Sequence, residues 1–439
     1  TGRIRLKGLL KYIQFVMRSK GVAGVIPRAR MLLDRFDLSG KKMGNAVAGI
    51  NALGAKYRFK PAMIVPAVVL QRHKRLLQYA SGEDLEFAIH GYTHKNHRPW
   101  SLEKQKEEVE KAKDVFDEMG MPYCGFRAPY LSCNSDTDVA LNACGIAWNS
   151  DQGIMWNYSE QSSRDSYSTG EAIDILYDPD DASQTLAIPR MHENMVCIPL
   201  VLPDDEILVD RMGIQDSNTI TGIWCDILEQ THARGDVFVL QYHPERYVFC
   251  NSSMEALLAH MAQSDGRFWV TDMRLIAEWW KARDAFSFAI SKSPGGAFEV
   301  QCTCDDRATI LVRNVPGTSA PFHRGYDYIE ERQFSLNTDG VKPCIGLHPQ
   351  CTADLQTFIK ELGFAYELTE TDSDYSVFFD DATIYSVATE VDILDRIEQS
   401  GQPLVRYWPW PDGYQSAFAT SHDLDCMTLG DFVYRALGW

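Results

Sequence analysis

Strand-like and helix-like segments alternate along residues 62–283, and this alternation limits the fold more than any other feature of the sequence. Apolar runs, such as Ala62–Leu70 and the residues before His90, predict buried strands, and amphipathic helical stretches follow them. Ser101 and Gly120 delimit the clearest helix as its N-cap and its C-terminal stop. Because polar residues stand where the predicted strands end, the pattern predicts an α/β parallel sheet or barrel with its chemistry at the carboxyl ends of the strands.

After Ala285 the pattern changes. Residues 286–342 alternate polar and apolar side chains around a Pro-Gly-Gly turn, as antiparallel strands do. Residues 343–410 show the strand and helix patterns of a small α/β unit, and residues 411–439 add a strand and a helix. We therefore expect four segments: a main body over residues 1–285, a β-rich accessory segment, a small α/β segment and a C-terminal strand and helix.

The bulk composition excludes several classes of partner. The formal net charge of -17 argues against binding to nucleic acid or to anionic lipid, because such binding needs clustered lysine and arginine. The eleven cysteines include no CxxC pair, so reduced thiols fit better than a disulfide framework. The sequence contains neither a secretory apolar segment nor a stretch long enough to span a bilayer. These features predict a cytoplasmic protein without a membrane span.

The stretch FAIHGYTHKNH places three histidines just beyond a predicted strand. His90 and His94 are four residues apart, so one turn of backbone can direct both imidazoles at one point. The pair alone indicates either a metal site or histidines that hydrogen-bond loop backbone. His97 lies outside this spacing, and we expect it on the surface or behind the ligands. Two imidazoles leave a catalytic zinc one protein ligand short.

The stretch SHDLD near the C-terminus offers the missing acid. It follows a strand pattern, and Asp423 and Asp425 at a strand end can point to one region, whereas His422 should face the opposite way. The alternative is an N-capping loop, because aspartate is a favoured cap. Asp37, in the N-terminal stretch DRFDLSG, is interpreted as a loop or capping residue.

Four motifs together resemble those of a known family. They are HGYTH at residues 90–94, FRAPY at 126–130, VLQYHPE at 239–245 and TSHDLD at 420–425. Their order and context resemble the polysaccharide deacetylases, the NodB-homology carbohydrate esterases. The resemblance covers about residues 1–283 and roughly the last forty residues of the chain. It implies a distorted (β/α) barrel that uses a divalent metal, commonly zinc, to remove acetyl groups from N-acetylated sugars.

The order of the motifs departs from the family pattern. The family begins with its acidic motif, which here stands at the C-terminus. We therefore expect a circularly permuted barrel, in which the C-terminal strand and helix insert beside the N-terminal part and residues 286–410 form an added region. Permutation is physically reasonable because domain termini commonly lie close together. The sequence leaves open whether the strand returns to its own barrel or to a neighbour's in a homo-oligomer.

The resemblance implies a metal site with a base beside it. Asp425, His90 and His94 would bind the metal, and Asp423 would be the general base. Arg127 would hold Asp423 as a carboxylate through a charge-assisted hydrogen bond. The opposite assignment of the two aspartates preserves the chemistry and stays open.

The resemblance also implies groups that act on the substrate. Tyr130 would offer its backbone N–H to the tetrahedral oxyanion. His243 would protonate the leaving amine as general acid. Asp151 would orient His243.

The sequence therefore predicts a metal-dependent amide hydrolase that deacetylates an N-acetylated carbohydrate. Two alternatives stay open. The same metal site could hydrolyse a non-sugar amide, imide or ureide, or the chain could be a non-catalytic glycan-binding or scaffold protein on a decayed barrel.

Overall fold

The computed structural model describes residues 25–81, 85–158, 177–318, 320–372 and 374–436. An α/β body extends to Arg283. Its elements are α1 (Val25–Arg35), α2 (Lys41–Tyr57), β1 (Ala62–Val65), α3 (Ala67–Ser81), β2 (Glu86–Ile89), α4 (Leu102–Met119), β3 (Gly125–Phe126), α5 (Ser135–Ala143), β4 (Trp148–Asn149), β5 (Gly153–Met155), β6 (Asp180–Asp181), β7 (Arg190–His192), β8 (Met195–Cys197), β9 (Leu200–Leu202), α6 (Ser217–Arg234), β10 (Val237–Gln241), α7 (Tyr247–Ala262), β11 (Phe268–Val270) and α8 (Met273–Arg283).

The rest of the described chain is richer in strands. Its elements are β12 (Ser287–Lys292), β13 (Phe298–Thr303), β14 (Ala308–Arg313), β15 (Asp327–Ile329), β16 (Gln333–Leu336), β17 (Lys342–Leu347), α9 (Ala353–Glu361), β18 (Tyr366–Leu368), β19 (Tyr375–Phe379), α10 (Glu390–Glu398), β20 (Leu404–Pro411), β21 (Ser416–Asp423) and α11 (Leu429–Ala436).

The central sheet has the strand order β10-β21-β1-β2-β3-β4-β8-β7, and β11 also pairs with β21. All neighbours are parallel except β7 and β8. The predicted α/β fold with a parallel, barrel-like sheet is confirmed. Because parallel strands end at the same edge of a sheet, the residues that follow β1, β2, β3, β10 and β21 share one edge.

The first strand is shorter than the sequence predicted. The run Ala62–Leu70 was expected to form one strand, but β1 ends at Val65 and α3 begins at Ala67. Pro66 explains the difference: it has no N–H for a central strand, and its fixed φ suits the start of a helix. The predicted helix bounded by Ser101 and Gly120 is confirmed, since the Ser101 side chain accepts a hydrogen bond from the Lys104 N–H.

Strand β21 comes from the end of the chain and lies inside the sheet. It pairs in parallel with β10 along Ala417–Ser421 and with β1 along Ser421–Asp423. All eight of its residues are buried. The C-terminal strand therefore lies between β10 and β1 of the same chain. That a circular permutation produced this arrangement stays a prediction.

The region between α8 and β21 folds as several small sheets. The hairpin predicted around the Pro-Gly-Gly turn is formed by β12 and β13. Strands β18-β17-β19 and helix α9 form the small α/β unit. β14 pairs with β20, so hydrogen bonds cross the boundary predicted near residue 342. The division into four segments stays a prediction. Within the described parts of the chain, no helix has both the length and the apolar character needed to cross a membrane.

Candidate metal centre and catalytic site

His90, His94 and Asp425 form a buried cluster at the carboxyl edge of the central sheet. Their candidate ligand atoms lie within 4.8 Å of one another. Asp425 Oδ1 is 3.4 Å from His90 Nε2 and 3.2 Å from His94 Nε2. The structure therefore brings together the three residues that the sequence proposed as metal ligands.

The sheet explains why residues so distant in sequence meet. His90 follows β2, and Asp425 lies two residues beyond β21; β1 stands between these strands. Gly91 turns the chain immediately after His90 with φ 73°, a conformation that disfavours other residues. A Cβ at this position would also lie 3.0 Å from the Thr93 carbonyl oxygen. The glycine thus allows the tight turn that carries His94 back over the site.

The hydrogen bonds of the cluster fit a bound cation. His90 Nδ1 lies 2.8 Å from the Arg127 carbonyl oxygen, which can only accept, so Nδ1 carries a proton. In the neutral ring, the Nε2 lone pair then faces Asp425 Oδ1, another acceptor. Asp425 Oδ1 is buried and has no hydrogen-bond partner among the described residues. Two imidazoles and one carboxylate that face each other in this way suit a divalent metal.

Arg435, on α11, contacts the other oxygen of the Asp425 carboxylate. Burial alone raises the pKa of Asp425, but His94 and Arg435 outweigh it and hold this pKa well below its usual range. Arg435 therefore keeps the carboxylate charged and fixes its orientation. Sequence reasoning missed this residue, because an arginine near the end of an amphipathic helix carries no distinctive signal.

Asp423 is held beside the cluster by two donors. Arg127 Nη1 donates to Oδ1 at 2.9 Å, and Gln241 Nε2 donates to Oδ2 at 3.1 Å. Arg127 is itself fully buried and fixed by two bonds to Ser150. Asp423 Oδ2 lies 3.8 Å from His90 Nε2. The geometry thus separates the two aspartates, with Asp423 against Arg127 and Asp425 against both histidines.

His243 follows β10 and is paired with Asp205. Its Nδ1 lies 2.9 Å from Asp205 Oδ1, and its backbone N–H donates to Oδ2 at 2.7 Å. Arg246 also contacts this carboxylate at 3.3 Å. Burial alone lowers the pKa of His243, but Asp205 raises it well above its ordinary value. The expectation that Asp151 orients His243 is wrong.

Asp205 could have been found from its place after a strand. It stands in the stretch LPDDE just beyond β9, where three consecutive acidic residues follow a proline. Nothing in that stretch indicates which acid faces His243. Asp151 instead accepts a 2.6 Å hydrogen bond from the Ala128 N–H. Burial raises the pKa of Asp151 to about 7.

The other residues singled out in the sequence lie around the cluster. Tyr130 has φ 64°, and its ring packs edge-on against the His94 ring at 4.5 Å. His97 is buried between Trp100 and Phe126, so of the two places expected for it, the surface is excluded and a place behind the ligands stays open.

His422 points away from the cluster, toward the Tyr242 carbonyl oxygen at 3.0 Å and the Thr420 hydroxyl at 3.1 Å. Asp37 accepts hydrogen bonds from the Gly40 and Lys42 N–H groups at the start of α2, which confirms its capping role.

A cavity of about 130 Å³ joins these groups, and we call it the metal-site cavity. Helices α1 and α11 contribute Leu32 and Phe432 to its wall. The cavity is lined by the side chains proposed for catalysis and metal binding, namely His90, His94, Tyr130, His243, Asp423 and Asp425.

Comparisons with known proteins agree with the site. Residues 45–148 match the family model described as polysaccharide deacetylase. This segment contains His90, His94, Arg127 and Tyr130. No curated protein matches the sequence.

Three solved structures are similar to parts of the chain. A Mycobacterium smegmatis protein assigned to the polysaccharide deacetylases has 17% identity and a TM-score of 0.43, over 56% of this chain and 81% of its own. A Pseudomonas aeruginosa protein with the same assignment has 13% identity and a TM-score of 0.39, over 51% and 69%. An allantoinase has 15% identity and a TM-score of 0.37, over 52% and 69%. Residues 45–148 are therefore similar to the polysaccharide deacetylases.

Proposed function

We propose that this protein is a metal-dependent hydrolase that removes acetyl groups from N-acetylated sugars of a polysaccharide or glycan precursor. The observation that carries the proposal is the convergence of His90, His94 and Asp425 on one buried point, with Asp423 and His243 on the same cavity. The family match over residues 45–148 supports amide hydrolysis.

The three clustered residues would hold one divalent cation, for which zinc is the best candidate given two imidazoles and one carboxylate. When bound, such an ion supplies Lewis-acid polarisation of the acetyl carbonyl and of the attacking water. Arg435 would maintain the negative charge of Asp425 on the side away from the histidines.

The remaining residues would move protons and stabilise charge. Asp423, which accepts a hydrogen bond from Arg127 at 2.9 Å, would accept a proton from the water that attacks the acetyl carbon. The Tyr130 N–H would donate to the oxygen that becomes negative. As the carbon–nitrogen bond breaks, His243 would give its proton to the amine, which leaves with the sugar, while acetate forms the other product.

The proposal is tested by metal content and acetate release together. We expect the purified protein to contain about one equivalent of zinc or a similar ion and to release acetate from N-acetylglucosamine oligomers. His94→Ala should lose both metal and activity. Asp423→Asn should keep the metal but lose about 100-fold or more in kcat. His260→Gln, at an exposed position on α7, is the control and should behave as wild type.

Two results would contradict the proposal. Metal content that is unaffected by His94→Ala would place the ion elsewhere and remove the site. A metal-loaded protein that hydrolyses ureides or imides but no N-acetylated sugar would keep the site and overturn the substrate class.

A further inference from the structure

A second and larger cavity, of about 510 Å³, adjoins the metal-site cavity. Leu131 and Tyr177 line both cavities, so these two side chains form part of the wall between them. A volume of this size is typical of sites for small ligands, whereas about 130 Å³ at the metal centre is small for a sugar ring. Sugar units that neighbour the reacting one therefore need space of the kind that the second cavity offers.

One wall of the second cavity comes from the small α/β unit rather than from the body. Asp354, Thr357 and Phe358 of α9 line it, opposite Asp151 and Asp180 of the body. We call this cavity the α9 cleft.

Buried polar contacts fix α9 and α10 against the body. Arg190 Nη2 donates to Glu390 Oε2 at 2.6 Å, and the Leu186 N–H donates to the same oxygen at 3.0 Å. The Met191 N–H donates to Glu361 Oε1 at 2.7 Å. The wall is thus a fixed part of the fold, and the accessory region shapes the space beside the metal centre.

Carboxylates dominate the charge of the α9 cleft. Arg98 pairs with Asp178, and Arg190 pairs with Glu390 and Glu361. Four further acidic side chains of the lining have no lysine or arginine within ion-pair distance among the described residues, and one of them, Asp138, lies 3.9 Å from His192. These are Asp138, Asp151, Asp180 and Asp354.

One of these acidic side chains has an unused polar atom. Asp151 is only 7% exposed, and its Oδ2 has no hydrogen-bond partner among the described residues. Because burial raises the pKa of Asp151 to about 7, its carboxyl group is largely protonated at pH 6. A buried polar atom without a partner is costly, so a ligand hydroxyl, which can both donate and accept, would be stabilised there. This observation is independent of the excess of negative charge, and it also points to a ligand rich in hydroxyl groups.

We propose that the α9 cleft binds a sugar unit with a free, protonated amine, next to the N-acetylated unit at the metal centre. The inference rests on the proposed function, because the amine is the group that deacetylation exposes. Carboxylates attract the ammonium group and repel uronate or phosphate substituents. The enzyme then prefers glycans that already carry deacetylated units and discriminates against anionic ones.

Binding is measured calorimetrically on the metal-loaded Asp423→Asn variant, so that it does not depend on turnover. The probes are a glucosamine pentamer, an N-acetylglucosamine pentamer and a hyaluronan fragment of equal length at pH 6. We expect the glucosamine pentamer to bind at least about fivefold more tightly than the hyaluronan fragment, the change that one partly exposed ion pair can supply.

Substitutions that change the charge of α9 test whether the preference for the cationic probe arises in the cleft. Thr357→Arg should weaken binding of the glucosamine pentamer about fivefold, whereas Thr357→Glu, at the same position, should not weaken it. Asp354→Asn should weaken it less than Thr357→Arg. Asp392→Asn is the matched control, because Asp354 and Asp392 both lie in the first turn of a helix and only Asp354 lines the cleft. The control should bind as the parent does.

Acetate release should show the same preference. It should be faster from partly deacetylated oligomers than from fully acetylated ones. Equal binding of the cationic and anionic probes, or equal effects of Thr357→Arg and Thr357→Glu, would overturn the proposal. If no oligomer yields acetate but the binding order holds, the proposed function fails while the cleft still selects amines.

Discussion

His243 reaches the metal-site cavity with its Nδ1 held by Asp205, and this pair determines when the imidazole carries a proton. Because Asp205 holds the pKa of His243 well above its ordinary value, the protonated form persists at neutral pH. It is lost only as the pH rises through that raised pKa. The proposed general acid therefore sets the basic limb of the pH–rate profile.

Asp205→Asn removes the charge but keeps the shape of the side chain. We expect the pKa of His243 to fall, so the basic limb of kcat/KM for acetate release moves to lower pH by about one to three units. Asp204→Asn is the control, since Asp204 accepts from the Tyr177 hydroxyl instead of contacting His243, and it should move the limb less. An unchanged limb in Asp205→Asn would show that His243 is not the acid.

Arg435 gives a second prediction at the level of one residue. Arg435→Met leaves Asp425 without its charged partner, and we expect about a tenfold loss of metal affinity in a competition titration. Arg72→Met is the matched control, because Arg72 pairs with Asp431 of the same helix at 3.3 Å. If both variants lose affinity equally, Arg435 acts only by docking α11.

The site shows which residues a sequence can reveal. His90, His94 and Asp425 stand at or near strand ends within short motifs, so local pattern indicates them. Asp205 and Arg435 were missed because their roles depend on which side chain lies nearest in the folded chain. Asp205 is 38 residues from His243, and no local spacing joins them.

At the level of elements, strand and helix patterns predicted most of the body correctly. The exception at Ala62–Leu70 shows that apolar composition alone does not separate a buried strand from a buried helix start. Pro66, which separates β1 from α3, is the residue that distinguishes the strand from the helix start. The position of β21 inside the sheet could be expected only from the displaced acidic motif, because a strand pattern does not specify its neighbours.

Two glycines test how tightly these elements pack. A Cβ at Gly125, in β3, would lie 2.0 Å from the Trp148 indole, so Gly125→Ala must displace a fully buried side chain. We expect it to lower the free energy of unfolding by about 1–3 kcal/mol.

At Gly222, on the exposed face of α6, a Cβ meets no atom within 4 Å. Gly222→Ala should therefore raise stability by about 1 kcal/mol.

Urea denaturation of both variants measures the difference. Wild-type stability in Gly125→Ala would mean that the strand and Trp148 can separate without cost. Destabilisation by Gly222→Ala would contradict the open space on α6.

For the whole molecule, the residue pattern indicates a change of character after Ala285 but does not indicate how the later segments join. β14 pairs with β20 across residue 342, and this pairing links segments that composition separates. Contacts from α9 and α10 to the body were likewise invisible, because they depend on an ion pair and a hydrogen bond between residues 200 and 170 positions apart.

Glu390 is the centre of that junction. It is 1% exposed and accepts hydrogen bonds from Arg190, from the Leu186 N–H and from the Tyr385 hydroxyl. Glu390→Gln would leave the Arg190 guanidinium with Glu361, at 3.6 Å, as its one carboxylate partner among the described residues. We expect a loss of about 3 kcal/mol in the free energy of unfolding.

A double-variant cycle separates the ion pair from simple packing. If the pair joins the two regions, Arg190→Gln combined with Glu390→Gln should cost less than the sum of the single changes, because the double variant buries no uncompensated charge. Additive losses would instead mean that Glu390 acts through the Leu186 and Tyr385 contacts. Arg190 and Glu390 both line the α9 cleft. Loss of their ion pair should therefore also weaken glycan binding in the cleft.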